Sequence, residues 1–356
     1  MENFRAAITW TIEQRPESAL RISGSLLYRP AHWIQYSEAK SWLTAAISKT
    51  RESFENGDPN VPPEYFVKGL IGLATVYSIY SDHPPAMKHI NEAFQLSEKH
   101  QLWRHHIRAI IMKTVILANG AGTPTTPEWL EQVEKALALT IEYNYHIEKA
   151  YLEYLLAYYH AWENEFEKAL PYYKKALEHT AQINNPFLNG EIYRAQAMMA
   201  YLQGDYDLAA KAYQKASDNF LAINDRRFAL VNQSELAHLL RRTGKISDAI
   251  RIYREIILKW QEQSNVAALA HQLECFAFLA ISKGQYETAA KLLGKAQETR
   301  LTQASESTNE LEIEELAHAL EELAEELGEH GRDTSMRDGE NFSLDEAVSF
   351  ALEQVT

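Results

Sequence analysis

Asn164-Glu165-Phe166-x-x-Ala169, Gly204-Asp205-Tyr206-x-x-Ala209, Gly244-Lys245-Ile246-x-x-Ala249 and Gly284-Gln285-Tyr286-x-x-Ala289 are four copies of one phrase, each starting 40 residues after the last. An aromatic residue or Leu and then a small or aliphatic residue follow at fixed offsets: Tyr173 and Ala176, Tyr213 and Ala216, Tyr253 and Ile256, Leu293 and Ala296. Within a copy the apolar positions recur every three or four residues, the period of one helix face. Gly204 follows the preceding stripe Ile192, Ala195, Ala197, Ala200 at the point where a left-handed residue ends a helix. Each copy is therefore a pair of helices, and self-similarity at this period predicts a solenoid of stacked hairpins whose function is to present a surface.

Reading the last small position backwards gives Ala46, Ala93, Ala136, Ala176, Ala216, Ile256 and Ala296. Seven hairpins result, with insertions in the first two connections. Those insertions coincide with loop chemistry at Asn56-Gly57-Asp58-Pro59-Asn60-Val61-Pro62-Pro63 and at 119–127, which is rich in Gly, Thr and Pro. The expected fold is an all-α, right-handed α-solenoid of about seven hairpins with helical caps. It divides into an N-terminal helical cap and first hairpin (1–50), the repeat array (51–304) and acidic C-terminal capping helices (305–356). In the last part a polar stretch (302–309) precedes an acidic helix over 311–327 with the stripe Leu316, Leu320, Leu323, Leu327. Residues 328–341 read as a linker, and Ser343-x-x-Glu346 as a capping box opening a final helix.

Charge is unevenly spread. Residues 305–356 hold 16 Asp and Glu against two Arg, an excess of 14 negative charges that equals the formal charge of the whole 356-residue chain. Residues 1–304 balance, so neither part offers the clustered positive footprint that a phosphate backbone requires, and direct nucleic-acid binding is not expected. No apolar run is long enough for a membrane span and no leader pattern follows Met1. Cys275, the single cysteine, cannot form an intramolecular disulfide, and a reducing cytoplasm fits best.

The Gly/Asn-x-aromatic-x-x-Ala-x-x-x-aromatic-x-x-Ala phrase resembles the tetratricopeptide repeat, with longer units. The segments 2–10, 19–26 and 36–43, with Ala289-Ala290-Lys291-Leu292-Leu293-Gly294-Lys295-Ala296 and Asp338-Gly339-Glu340-Asn341-Phe342-Ser343-Leu344-Asp345-Glu346-Ala347-Val348, are similar to the C-terminal repeat (sensor) region of bacterial STAND-type regulators of the LuxR-like and SARP-like kind. The resemblance implies a sensor portion, as a fragment of a larger regulator with an upstream nucleotide-binding domain or as a stand-alone product. No phosphate loop and no basic helix-turn-helix occurs in this sequence, so ATPase and promoter binding are not carried over.

The resemblance also implies where a ligand sits, because the first helix of each hairpin lines the groove. Counting back from the Asn or Gly of each phrase places Tyr151, Tyr154, Tyr158 and Trp162, then Arg194, Met198 and Tyr201, then His238, Arg241 and Arg242, then His271, Glu274 and Phe278 on that surface. Aromatic faces beside guanidinium donors suit a protein or peptide partner, an acidic helix or a stacked sugar ring. The competing reading is that these tyrosines pack between hairpins and the arginines pair with nearby Glu.

Signals for chemistry are sparse. His100, His105 and His106 lack ligand spacing, no metal or cofactor motif occurs, and Cys275 has no base partner visible in the sequence. The expected function is non-catalytic recognition of a protein, peptide or small effector by the sensor portion of a bacterial signal-transduction transcriptional regulator, without metal or cofactor. Its rivals are a stand-alone peptide-pheromone receptor of the quorum-sensing type and an enzyme with an unrecognised pocket.

Overall fold

The computed structural model describes residues 2–26, 36–79, 82–120, 126–303 and 310–355. Residues 121–125 of the second expected loop and 304–309 of the polar stretch lie outside them. Seventeen helices and no strand occur among the described residues, and no helix is long and apolar enough to cross a membrane. The chain groups into two compact units, Met1–Ala195 and Gln196–Thr356.

The first unit holds α1 (Glu2–Gln14), α2 (Pro16–Leu26), α3 (Tyr36–Glu55), α4 (Pro63–Ile79), α5 (His83–Lys99), α6 (Trp103–Gly120), α7 (Pro127–Glu142), α8 (His146–Trp162) and α9 (Phe166–Ile183). The division falls within α10 (Pro186–Leu202). The second unit continues with α11 (Tyr206–Ala222), α12 (Arg226–Arg242), α13 (Ile246–Glu262), α14 (Val266–Ile281), α15 (Tyr286–Gln303), α16 (Glu310–Glu340) and α17 (Leu344–Gln354). The all-α hairpin array expected from the repeat is present. Helices α2 to α15 pair consecutively into seven hairpins, and all seven small positions from Ala46 to Ala296 are fully or almost fully buried on the second helix of each pair.

A finer rhythm appears in the backbone. Asn144, Asn164, Asn184, Gly204, Asn224, Gly244, Ser264 and Gly284 all take positive φ, so a left-handed residue recurs every 20 residues and ends both helices of each hairpin alike. At these turns the following N–H bonds back five residues, as from Glu165 to the His160 carbonyl (2.7 Å) and from Asp205 to Ala200 (2.9 Å), satisfying a carbonyl left open by the helix end. Asp205, Asp225 and Asn265 then cap the next helix by accepting from the N–H three residues on, at 3.0–3.1 Å. The loops are thus short and alike in form, which keeps the helices in register.

Small residues set the spacing inside each hairpin and large ones fill it. In the first unit Ile8, Leu20, Leu43, Phe66, Leu70 and Ile90 form one buried cluster. In the second, Tyr253, Phe276, Leu292, Leu293 and Leu323 join Ala347, Val348 and Ala351 of the last helix. The acidic segment behaves as its stripe predicts, with Leu323 fully buried and Leu316, Leu320 and Leu327 packed against the core. Ser343 and Glu346 form the expected capping box. One expectation fails: 329–340 is helix rather than linker. Gly328 (φ 70°, ψ 154°) breaks α16, after which the chain turns helical again and packs its backbone onto α15.

Candidate functional site

In the first unit, α8 carries Tyr151, Tyr154, Tyr158 and Trp162 one above another, since three- and four-residue steps keep side chains on one helix face. They grade outward. Tyr154 is buried and Tyr151 half-buried, and burial raises both phenols above their ordinary value. Tyr158 is half-buried and stacks on Trp162 with ring centres 6.4 Å apart, and Trp162 is 54% exposed. Arg194, from the next first helix, is 40% exposed and donates to Glu191 at 2.8 Å. Tyr154 and the fully buried Tyr173 both lie within its electrostatic reach.

Behind this stripe the first unit holds carboxylates that the sequence reading passed over. Glu148, almost wholly buried, accepts from Arg104 (2.9 Å) and Arg108 (2.6 Å) through one oxygen. Burial works to raise its carboxyl, but the hydrogen bond from Arg104 and the charges of Arg108 and Arg104 outweigh it and hold the group below its ordinary value. Glu153 pairs with His179 at 2.5 Å. His105 and His106 are buried; burial, then the charges of Arg108, Lys68 and Arg104, push His105 down to about 4.

In the second unit the predicted residues meet in one polar network. Arg241 and Arg242 both donate to Glu315 of α16, at 2.7–3.0 Å, while Arg241 lies over the Phe278 ring and Arg242 over Tyr201. Glu274 receives two bonds from Arg300, at 2.5 and 2.7 Å. His238 meets the Tyr253 hydroxyl through Nδ1 (2.6 Å) and His271 Nε2 through Nε2 (3.2 Å), and His271 Nδ1 faces the carboxylates of Glu274 (3.6 Å) and Glu312 (3.9 Å). Burial and the neighbouring His271 push His238 well below its ordinary value. For His271 burial acts downward, but Cys275, Glu274 and Glu312 outweigh it and raise the group. Met198, 48% exposed on α10, stands outside these contacts.

The arginines expected to meet a ligand are thus engaged by the chain's own carboxylate. Glu315, Glu312, Arg300 and Tyr253 were missed by sequence reasoning, because each contact joins residues 15 to 74 positions apart and no local pattern marks it. Cys275 differs from its expected isolation too: its Sγ lies 3.9 Å from His238 Nδ1 and 3.8 Å from His271 Nε2.

These features define a tandem helix-hairpin array of the tetratricopeptide-like class. No protein-family model matches the chain, and no curated protein matches it. Among solved structures it is similar to a signal-transduction ATPase with numerous domains that carries a tetratricopeptide repeat sensor, from Pyrococcus horikoshii, at 16% identity and a TM-score of 0.49. That match covers 95% of this chain and 50% of the other, so the chain spans half the length of that protein. It is also similar to a Rap protein complexed with competence and sporulation factor (15% identity, 87% and 99% coverage, TM-score 0.40). A circular tandem repeat protein aligns at 14% identity over 100% and 96% of the two chains, with a TM-score of 0.25.

Proposed function

We propose that this chain is a non-catalytic recognition scaffold, the sensor portion of a bacterial signal-transduction regulator of transcription, and that its ligand is a protein or peptide segment bearing an apolar and an acidic side chain. The observation that carries this reading is the Tyr158–Trp162 stack, with Trp162 54% exposed on the first helix of its hairpin. A large aromatic pair that ends in solvent, with the Arg194 guanidinium on the next first helix, has the chemistry of an anchor for such a segment. The sequence resemblance to the STAND-type repeat region supports the regulatory role, and the preference for carboxylates is supported by Arg194 donating to Glu191 and, within the second unit, by Arg241 and Arg242 donating to Glu315.

A photoreactive phenylalanine derivative placed at position 162 of the full chain tests this directly in lysate of the source organism. A discrete crosslinked protein or peptide, lost when Arg194→Glu is added, is the expected result. Equal crosslinking from the exposed position 258 on a second helix, or none from 162, would refute the assignment.

A further inference from the structure

Three donor atoms from two first helices converge in the second unit. His271 and Cys275 stand one turn apart on α14, so both project from the same face. His238 reaches them from α12. Its Nε2 lies 3.2 Å from His271 Nε2, Cys275 Sγ lies 3.8 Å from His271 Nε2 and 3.9 Å from His238 Nδ1, and one ligand atom from each of the three residues falls within 4.8 Å of the others. Tetrahedral zinc, with Zn–N of about 2.0–2.1 Å and Zn–S of about 2.3 Å, sets its ligands about 3.3 Å apart for two nitrogens and about 3.6 Å for nitrogen and sulfur. The two spacings from His271 Nε2, 3.2 and 3.8 Å, are already close to that.

The atoms behind the donors point the same way. A metal-bound imidazole gives its other N–H to an oxygen, which fixes the tautomer and aims the free lone pair at the ion. His238 Nδ1 has the Tyr253 hydroxyl at 2.6 Å, and His271 Nδ1 faces Glu274 and Glu312. With those outer nitrogens protonated, two Nε2 lone pairs face each other at 3.2 Å beside a thiol, a pair that either a shared proton or a metal ion satisfies. Glu274 is itself held by Arg300, so the orienting carboxylate is fixed. Ser234 Oγ, 3.4 Å from His238 Nε2 and bonded by Gln272 at 2.9 Å, closes one side of the cluster.

We propose that His238 Nε2, His271 Nε2 and Cys275 Sγ form a three-ligand site for a zinc ion, with the fourth position left to water or to an anionic ligand. Two nitrogens and one thiolate suit zinc, which takes mixed nitrogen and sulfur ligands tetrahedrally. Loading displaces one proton from Cys275 Sγ and one from between the two Nε2 atoms, so the divalent ion replaces two positive charges and the buried cluster keeps its net charge. His238 and Cys275 are buried and His271 is partly open, giving the ion a route in. The proposal is independent of the ligand reading at Trp162.

The test uses the full chain, reduced and freed of metal, titrated anaerobically with Co2+ and then Zn2+. One equivalent of Co2+ should give a thiolate-to-metal charge-transfer band and intense tetrahedral d–d absorption, and Zn2+ should bleach both. Cys275→Ser should abolish the charge-transfer band, and His238→Ala and His271→Ala should each weaken Zn2+ binding at least 100-fold. Tyr253→Phe should weaken it about 10-fold, as loss of an orienting partner does, and His318→Ala on the exposed face of α16 should change nothing. If a ligand variant misfolds, X-ray absorption of the zinc-loaded natural chain decides instead, with one sulfur and two imidazoles expected in the first shell. A folded natural chain lacking the thiolate band, a zinc shell without sulfur, or zinc affinity indifferent to His238→Ala and His271→Ala would each overturn the site.

Discussion

Gly294→Ala should destabilise the second unit although alanine is the better helix former. Gly294 lies inside α15 and faces the second half of α16; a Cβ there would sit 2.1 Å from the Met336 carbonyl oxygen and 2.8 Å from its Cα. The approach is reciprocal, because a Cβ on Gly339 would sit 1.9 Å from the Lys291 carbonyl oxygen. Both obstacles are backbone, so no rotamer change relieves them. To reach ordinary contact near 3.4 Å the helices must part by about 1.3 Å, which strips contacts from Leu292 and Leu293, both fully buried on α15. Overpacking of this kind costs about 1–3 kcal/mol, against an alanine gain of about 0.5–1 kcal/mol in a helix interior. With two rigid obstacles the upper part of the range applies, and a net loss of about 2 kcal/mol is expected. Hydrogen exchange of α15 and of 329–340 is the assay, since two compact units make one global unfolding energy ill-defined. Because the first substitution opens the gap that the second needs, Gly294→Ala with Gly339→Ala should cost clearly less than the two costs summed. Slower exchange in either single variant, or strict additivity, would show that the helices do not touch there.

Acidification should loosen the first unit. His105, depressed from 6.5 to about 4, favours the folded state fully above 6.5 and progressively less as pH falls towards 4, a change of at most about 3 kcal/mol; Glu148, also depressed, adds a loss below the ordinary carboxylate range. Protection of α6 and α8, taken relative to the intrinsic amide exchange rate at each pH, should fall across that window, and His105→Leu should flatten the part above pH 4. Glu315→Ala leaves Arg241 and Arg242, each less than a fifth exposed, without their carboxylate, and should cost about 1–3 kcal/mol, read as faster exchange over 310–327; unchanged protection would deny the contact. Gly244→Ala meets nothing within 4 Å, so only its φ of 79° opposes it, at about 1 kcal/mol, whereas Gly244→Asn should cost less because Asn164 and Asn224 hold φ of 58° and 60° at equivalent turns. Equal losses for the two, by hydrogen exchange of α12 and α13, would contradict that account.

The fold was legible because its signals are local and repeated. Each 40-residue copy carries its own helix stop, cap and apolar stripe, and the 20-residue half-period could also have been read from Asn184-Asn185, Asn224-Asp225 and Ser264-Asn265, each a turn residue followed by a cap. The helix over 329–340 was not legible. Gly331, Gly339, Asp333 and Ser335 lower its intrinsic propensity, and it forms because Gly339 lets two backbones meet, which is information held by α15. The cysteine cluster escaped for a different reason. Repeat numbering aligns His238 with Phe278, yet His238 touches His271, two turns earlier on α14. The offset between neighbouring helices decides which side chains meet, and a repeat period does not state it.

That offset also decides how the second unit can recognise anything. Of the 16 acidic residues after position 304, most face solvent, but Glu315 turns inward and joins Arg241 and Arg242, while Glu312 faces His271. On the recognition reading, a carboxylate ligand seeking those arginines must first displace Glu315. If that contact is worth about 2 kcal/mol, apparent affinity falls about 30-fold, and Glu315→Ala should restore it, whereas in the first unit the carboxylate already on the guanidinium beside the aromatic stripe is Glu191, an i,i+3 partner of the part-exposed Arg194. Within a run of charge that the sequence presents as mere solvation, Glu315 therefore acts specifically. It satisfies both guanidinium groups from within the chain.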